Sequence, residues 1–155
     1  MIKVISFDFY NTLVRFWPPL DEIQQASCRE LGLNLDKDKV ERGYAVADAY
    51  FNEENGRKPL ASLNDDERLA FFSRYEQILL ENAGLPVSLD LAKDVWQLAM
   101  AVPKDFVAFE DTIPALKSLK SRGYRMGILS NLRRDMDAIC KQLGIDEYLD
   151  FCINS

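Results

Sequence analysis

The sequence predicts an α/β fold: a partial parallel, Rossmann-like sheet with a four-helix cap inserted after the first strand. Three observations predict it. An apolar run from Lys3 to Phe9 opens the chain as a strand. After Pro103 the pattern becomes helix, strand, helix, strand, which with the first strand gives the alternation of a parallel α/β sheet. Between them, residues 15–104 carry only helical periodicity. The expected division is therefore an α/β core of residues 1–14 and 105–155, interrupted by a helical cap of residues 15–104 that covers the carboxyl ends of the strands.

Each element has its own signal. Lys3 to Phe9 is apolar throughout, as for a strand buried on both faces. Trp17-Pro18-Pro19 breaks that run and sets up a helix from Leu20, with Ile23, Ser27, Cys28 and Leu31 at helical spacing and Gly32 closing it. A second helix is expected from Asp36 to the Asn55-Gly56 pair. Asn64-Asp65-Asp66-Glu67 starts a third, with acids at the positive end of the helix dipole, and it runs to Gly84-Leu85-Pro86. The fourth spans Leu89 to Met100 and stops at Pro103. Beyond it come a short helix from Asp111 to Gly123 with Ile113, Leu116 and Leu119 inward, a strand Arg125–Leu129, a helix from Arg134 to Leu143, and a strand Leu149–Ile153.

Composition narrows the function classes. The 155 residues are 48% hydrophobic and 28% charged, the profile of a globular protein, and a net charge of −6 disfavours nucleic-acid or anionic-membrane partners. The longest apolar stretches are far short of the ~20 residues that span a bilayer. With no basic-then-apolar leader before the first strand, a cytoplasmic location is expected. Cys28, Cys140 and Cys152 are widely spaced and read as small buried hydrophobes. The absence of histidine excludes Ser-His-Asp and Cys-His catalysis and histidine zinc sites.

The chemistry converges on two strand ends. Asp8 closes the first strand, and Asn11-Thr12 form the turn after it, a natural place for a carboxylate nucleophile. Ser130 and Asn131 close the second strand of the sheet just before a helix start, where a hydroxyl, an amide and helix N–H groups favour an anion. Right-handed parallel crossovers point both ends the same way. Read singly, Asp8 is an Asx-turn residue and Ser130-Asn131 a helix cap; their coincidence at adjacent strand ends raises the reading in which an anionic substrate held at Ser130-Asn131 would lie beside Asp8.

Phe7-Asp8-Phe9-Tyr10-Asn11-Thr12-Leu13 resembles the first motif of the haloacid dehalogenase-like hydrolase superfamily, and Ile128-Leu129-Ser130-Asn131 resembles its second. The stretch Ala115 to Tyr124 looks like the helix leading into that second motif, and the helical insertion is similar to the superfamily's first cap class. The resemblance implies Asp8 as the covalent nucleophile, Ser130 and Asn131 as the holders of the substrate's anionic group, and Thr12 as the residue ordering the turn. Phosphatases of the superfamily carry an Asp two residues after the nucleophile; Tyr10 stands there instead, as in 2-haloacid dehalogenases. A phenol with a pKa of about 10 is a poor acid for a leaving alkoxide, whereas halide leaves unprotonated. The reading thus leans to a 2-haloacid dehalogenase needing no cofactor, with a Mg²⁺-dependent small-molecule phosphatase as the alternative. Asn11 departs from the Gly usual in dehalogenases, and no substrate-binding Arg stands out in the cap, Arg15 and Arg42 being the only guesses.

No third-motif Lys and no acidic fourth motif precede Ser155. Two expectations follow: the chain is the front portion of a hydrolase, catalytically incomplete in isolation, or it is a non-catalytic interaction module. In either case a metal site is not expected among these residues. The first strand's open edge, or the apolar helices, would support homodimerisation.

Overall fold

The computed structural model describes residues 3–132 and 134–154, leaving aside the side chain of Asn154. Met1, Ile2, Arg133 and Ser155, of which all but Arg133 fall at the ends of the expected core ranges, lie outside the described residues. The chain divides into two compact units, Met1–Trp17 with Lys104–Ser155, and Pro18–Pro103.

The first unit is built on β1 (Val4–Phe7), β4 (Arg125–Ser130) and β5 (Phe151–Asn154), a parallel sheet in the order β1-β4-β5. Helices α5 (Thr112–Ser121) and α6 (Met136–Gln142) make the crossovers. Leu116, Met126, Ile128, Met136, Cys140 and Ile145 form the core beside the sheet, joined by Phe9, Leu13, Val14 and Phe106. Gly127 makes room for the Phe151 ring on the next strand: a Cβ there would lie 2.2 Å from that ring. The first strand is not buried on both faces, as its apolar composition suggested. Among the described residues it lies at one edge of the sheet, its residues alternating between exposed and half-buried, with Val4, Leu129 and Ile153 exposed.

A second sheet was not legible as such. β2 (Val14–Trp17) pairs antiparallel with β3 (Asp105–Ala108), Phe16 opposite Phe106. Val14-Arg15-Phe16-Trp17 does alternate inward and outward, but the following Pro18-Pro19 marks only its end. Two other expectations shift. Ile113 is exposed, because α5 turns Thr112 and Leu116 inward instead. The last strand begins at Phe151, after a 3₁₀ turn at Asp146–Tyr148.

The second unit is helical: α1 (Leu20–Glu30), α2 (Lys37–Arg57), α3 (Asp65–Asn82) and α4 (Leu89–Ala101). Local signals place the ends. The Asp36 carboxylate accepts the Asp38 N–H, and Asn64 and Glu67 form a reciprocal capping box at the start of α3. Asn55-Gly56 does not stop α2, which continues to Arg57; a single Gly costs a helix only about 1 kcal/mol, and Arg57 pairs back with Glu53 and Glu54. α2 and α3 lie close enough that a Cβ on Gly43 would sit 2.5 Å from the Leu79 carbonyl oxygen. Cys28, Leu35, Val40, Ala47, Leu79, Leu80, Ala92 and Val95 fill the core. α3 also buries Ser73 and Glu76, two polar residues on a face expected to be apolar.

Candidate active site

Asp8 follows the last residue of β1, and its exposed carboxylate sits over a tight turn. The Phe9 carbonyl accepts N–H bonds from Thr12, Leu13 and Val14, while the Asn11 N–H returns to the Val14 carbonyl at 2.8 Å. This knot folds the chain back into β2. The Thr12 hydroxyl donates to Asp8 Oδ2 at 3.1 Å, so the turn holds the carboxylate it follows. Thr112, at the start of α5, donates its hydroxyl to the Leu13 carbonyl at 2.7 Å and ties the turn to the core. Its small polar side chain gave no signal in the sequence beyond a helix start.

Asn11 has φ +59°, the left-handed conformation that Gly adopts freely and Asn tolerates better than other residues. The departure from Gly at this position is therefore a conservative one in backbone terms.

The Tyr10 ring is half-buried. It packs on Phe16, with centroids 4.9 Å apart, and meets Phe106 edge-on at 6.4 Å; Phe16 and Phe106 stack at 4.8 Å. The position two after Asp8 is thus an aromatic anchor of the β2–β3 ribbon. Over the same ribbon, the Arg134 guanidinium lies 6.0 Å from the Phe106 ring and that of Arg15 lies 5.8 Å from Phe109.

Parallel pairing sets Phe7 opposite Ile128. Asp8 is one residue beyond that pair and Ser130 two, so the sheet brings both to the same ends of neighbouring strands. Ser130 is buried and its Oγ accepts the Leu132 N–H at 3.1 Å, while Asn131 is exposed. The expectation that this dipeptide directly precedes a helix is corrected. α6 starts at Met136, capped by the Asp135 carboxylate on the Ala138 N–H, and Ser130 organises its own turn instead.

The thiols are poor nucleophiles. Burial pushes Cys28 up to about 11 and Cys140 up to about 12, and raises Cys152 as well. Among the described residues, no group of three or more Asp, Glu, Cys or His side chains is arranged to hold a metal ion. No helix among them is long and apolar enough to cross a membrane.

A family model described as haloacid dehalogenase-like hydrolase matches residues 2–155. The chain belongs to that hydrolase family. Within it, the human haloacid dehalogenase-like hydrolase domain-containing protein 3 is 26% identical over 163 residues, spanning 99% of this chain and 61% of the relative. The family fold recurs in a solved L-2-haloacid dehalogenase, with a TM-score of 0.55 at 17% identity over 99% of this chain and 63% of that one. It recurs equally in a HAD family hydrolase from Deinococcus radiodurans solved with bound phosphate and sodium, with a TM-score of 0.53 at 18% identity over 99% and 58%. This haloacid dehalogenase-like chain therefore spans about three fifths of the length of the relatives it matches.

Proposed function

We propose that Asp8 is the nucleophile of a hydrolase acting on a small anionic substrate, and that the reaction is of the 2-haloacid dehalogenase type. The observation that carries this reading is the Thr12–Asp8 hydrogen bond at the end of β1, beside the end of β4. Fixing Oδ2 leaves Oδ1 as the attacking oxygen. That oxygen bonds to the carbon bearing the halogen as the carbon–halogen bond breaks, and halide leaves with the bonding electrons. Water then hydrolyses the ester, restoring the carboxylate and releasing a 2-hydroxy acid and a proton. Ser130, whose oxygen accepts the Leu132 N–H, keeps its own proton to donate to the substrate carboxylate, with Asn131 beside it.

Tyr10 favours halide over phosphate ester. Its ring is packed between aromatic neighbours, and a phenol does not supply the acid and base that an alkoxide leaving group needs. The helical unit would act as a cap domain, and the compartment would be the cytoplasm. The remaining charges of the site would come from the part of the relatives' length that this chain does not span.

The test uses the full-length protein. Halide release from a 2-haloacid without added Mg²⁺, abolished by Asp8→Asn, is the expected result. Mg²⁺-dependent phosphate release with no halide release would replace this reading with a phosphatase. Neither activity in a well-folded protein would leave a non-catalytic interaction module, joined to a partner through the β1 edge.

A further inference from the structure

Three helices of the second unit bring polar groups into a largely apolar interior. Gln24 on α1 and Glu76 on α3 are 4% and 1% exposed. Gln24 Nε2 donates to Glu76 Oε2 at 3.1 Å and to the Tyr44 hydroxyl on α2 at 3.4 Å. That uses both N–H groups of the amide. Two buried oxygens remain without a hydrogen-bond donor among the described residues: Gln24 Oε1 and Glu76 Oε1.

Both orphans are acceptors, and they belong to one hydrogen-bonded pair of planar groups. An ionised Glu76 supplies only acceptors, so it leaves each orphan unsatisfied and a charge in the core, which is costly twice over. One proton removes all of these penalties. An O–H on Glu76 Oε1 would turn that orphan into a donor for the other, Gln24 Oε1, and with the existing Nε2–Oε2 bond would close a two-bond ring between a carboxylic acid and an amide. We infer that Glu76 is carried as the neutral acid, and that its ring with Gln24, extended to Tyr44, is a proton-dependent clasp joining α1, α2 and α3.

The surroundings agree. Burial pushes the Glu76 carboxyl up to about 7, opposed only by the Gln24 N–H. The titratable neighbours it influences are Cys28 on α1 and Tyr75 on α3, both neutral groups raised first by burial. α2 contributes Tyr44 and Asp48, and the Asp48 carboxylate is committed to the Tyr75 hydroxyl at 2.7 Å. α4 turns Ala92, Val95 and Ala99 inward and keeps Asp90, Lys93 and Asp94 at exposed or half-exposed positions. No cation is among the groups that shift Glu76.

The sign follows from linkage. The folded-state value lies above the ordinary 4.5, so the clasp contributes fully below about pH 4.5 and is lost as pH rises through about 7. The experiment is a carbon-13 NMR titration of the whole 155-residue chain labelled at glutamate, with the Glu76 carboxyl identified by its loss in Glu76→Gln. The expected Glu76 midpoint is near 7, well above its ordinary 4.5. A Glu76 midpoint at or below the ordinary 4.5 overturns the inference. Glu76→Gln provides a second arm, because an amide keeps the ring and cannot ionise. Its melting temperature, relative to the native chain, should rise as pH increases through about 7; a difference that stays constant with pH overturns the clasp.

Discussion

Asn11 shows how a single backbone angle constrains the site. Its φ of +59° is what sends the Asn11 N–H to the Val14 carbonyl and closes the knot under Asp8. Asn11→Gly should leave unfolding in urea unchanged within a few tenths of a kcal/mol. Asn11→Val should cost about 1–2 kcal/mol, because a β-branched residue resists the left-handed region. Equal effects of the two substitutions would show that the angle is not what matters. The next residue makes a separate point. Thr12 is exposed, so losing its hydrogen bond changes stability little, but it orients the proposed nucleophile. In the full-length protein, Thr12→Val should lower kcat about tenfold, roughly 1.4 kcal/mol of transition-state stabilisation, with KM little changed. Thr12→Ser should restore most of the rate, since it restores the donor. A rise in KM alone would assign Thr12 to substrate binding.

Elements were legible where the signal was local. Asn64 and Glu67 announce the start of α3 by their spacing alone, because both halves of a capping box lie within one turn. The β2–β3 ribbon was not legible in that way. Its two strands are short and far apart in sequence, and what joins them is the packing of Phe16 on Phe106, which no window along the chain contains. The start of α6 was misplaced for a related reason: Ser130-Asn131 and Asp135 are both plausible caps, and only the structure shows that Asp135 is the one used. The close approach of α2 and α3 is also a tertiary fact, and it makes a firm prediction at Gly43. Substitution by Ala improves helix propensity by up to about 1 kcal/mol but forces a Cβ to within 2.5 Å of the Leu79 carbonyl. That neighbour is backbone and can yield only if the helices separate, so overpacking wins. Gly43→Ala should be destabilising by roughly 1–3 kcal/mol in thermal or urea unfolding. A stabilised variant would mean that the helices part without cost.

Over the whole molecule, the placement of the candidate site was legible and its supporting chemistry was not. The parallel alternation of strands was enough to expect Asp8 and Ser130 at neighbouring strand ends, since that follows from topology. The buried Glu76 had no such signature: a glutamate inside a helix reads as a solvated charge, and only the packing of α1, α2 and α3 around it says otherwise. Among the described residues the packing also forms two cores that share no residue, one around Leu116, Met126 and Ile128 and the other around Val40, Leu79 and Leu80. Each unit then has its own apolar reservoir and its own opening free energy. Leu80→Ala and Leu116→Ala remove the same side chain from fully buried positions in different cores, and each should cost roughly 2–5 kcal/mol. Their effects on native-state hydrogen exchange should differ in place. Leu80→Ala should lower protection across α2, α3 and α4 while sparing β4 and α5, and Leu116→Ala should do the reverse. If either variant lowered protection equally in both units, the two cores would unfold as one cooperative body, and the division into units would describe contacts without describing stability.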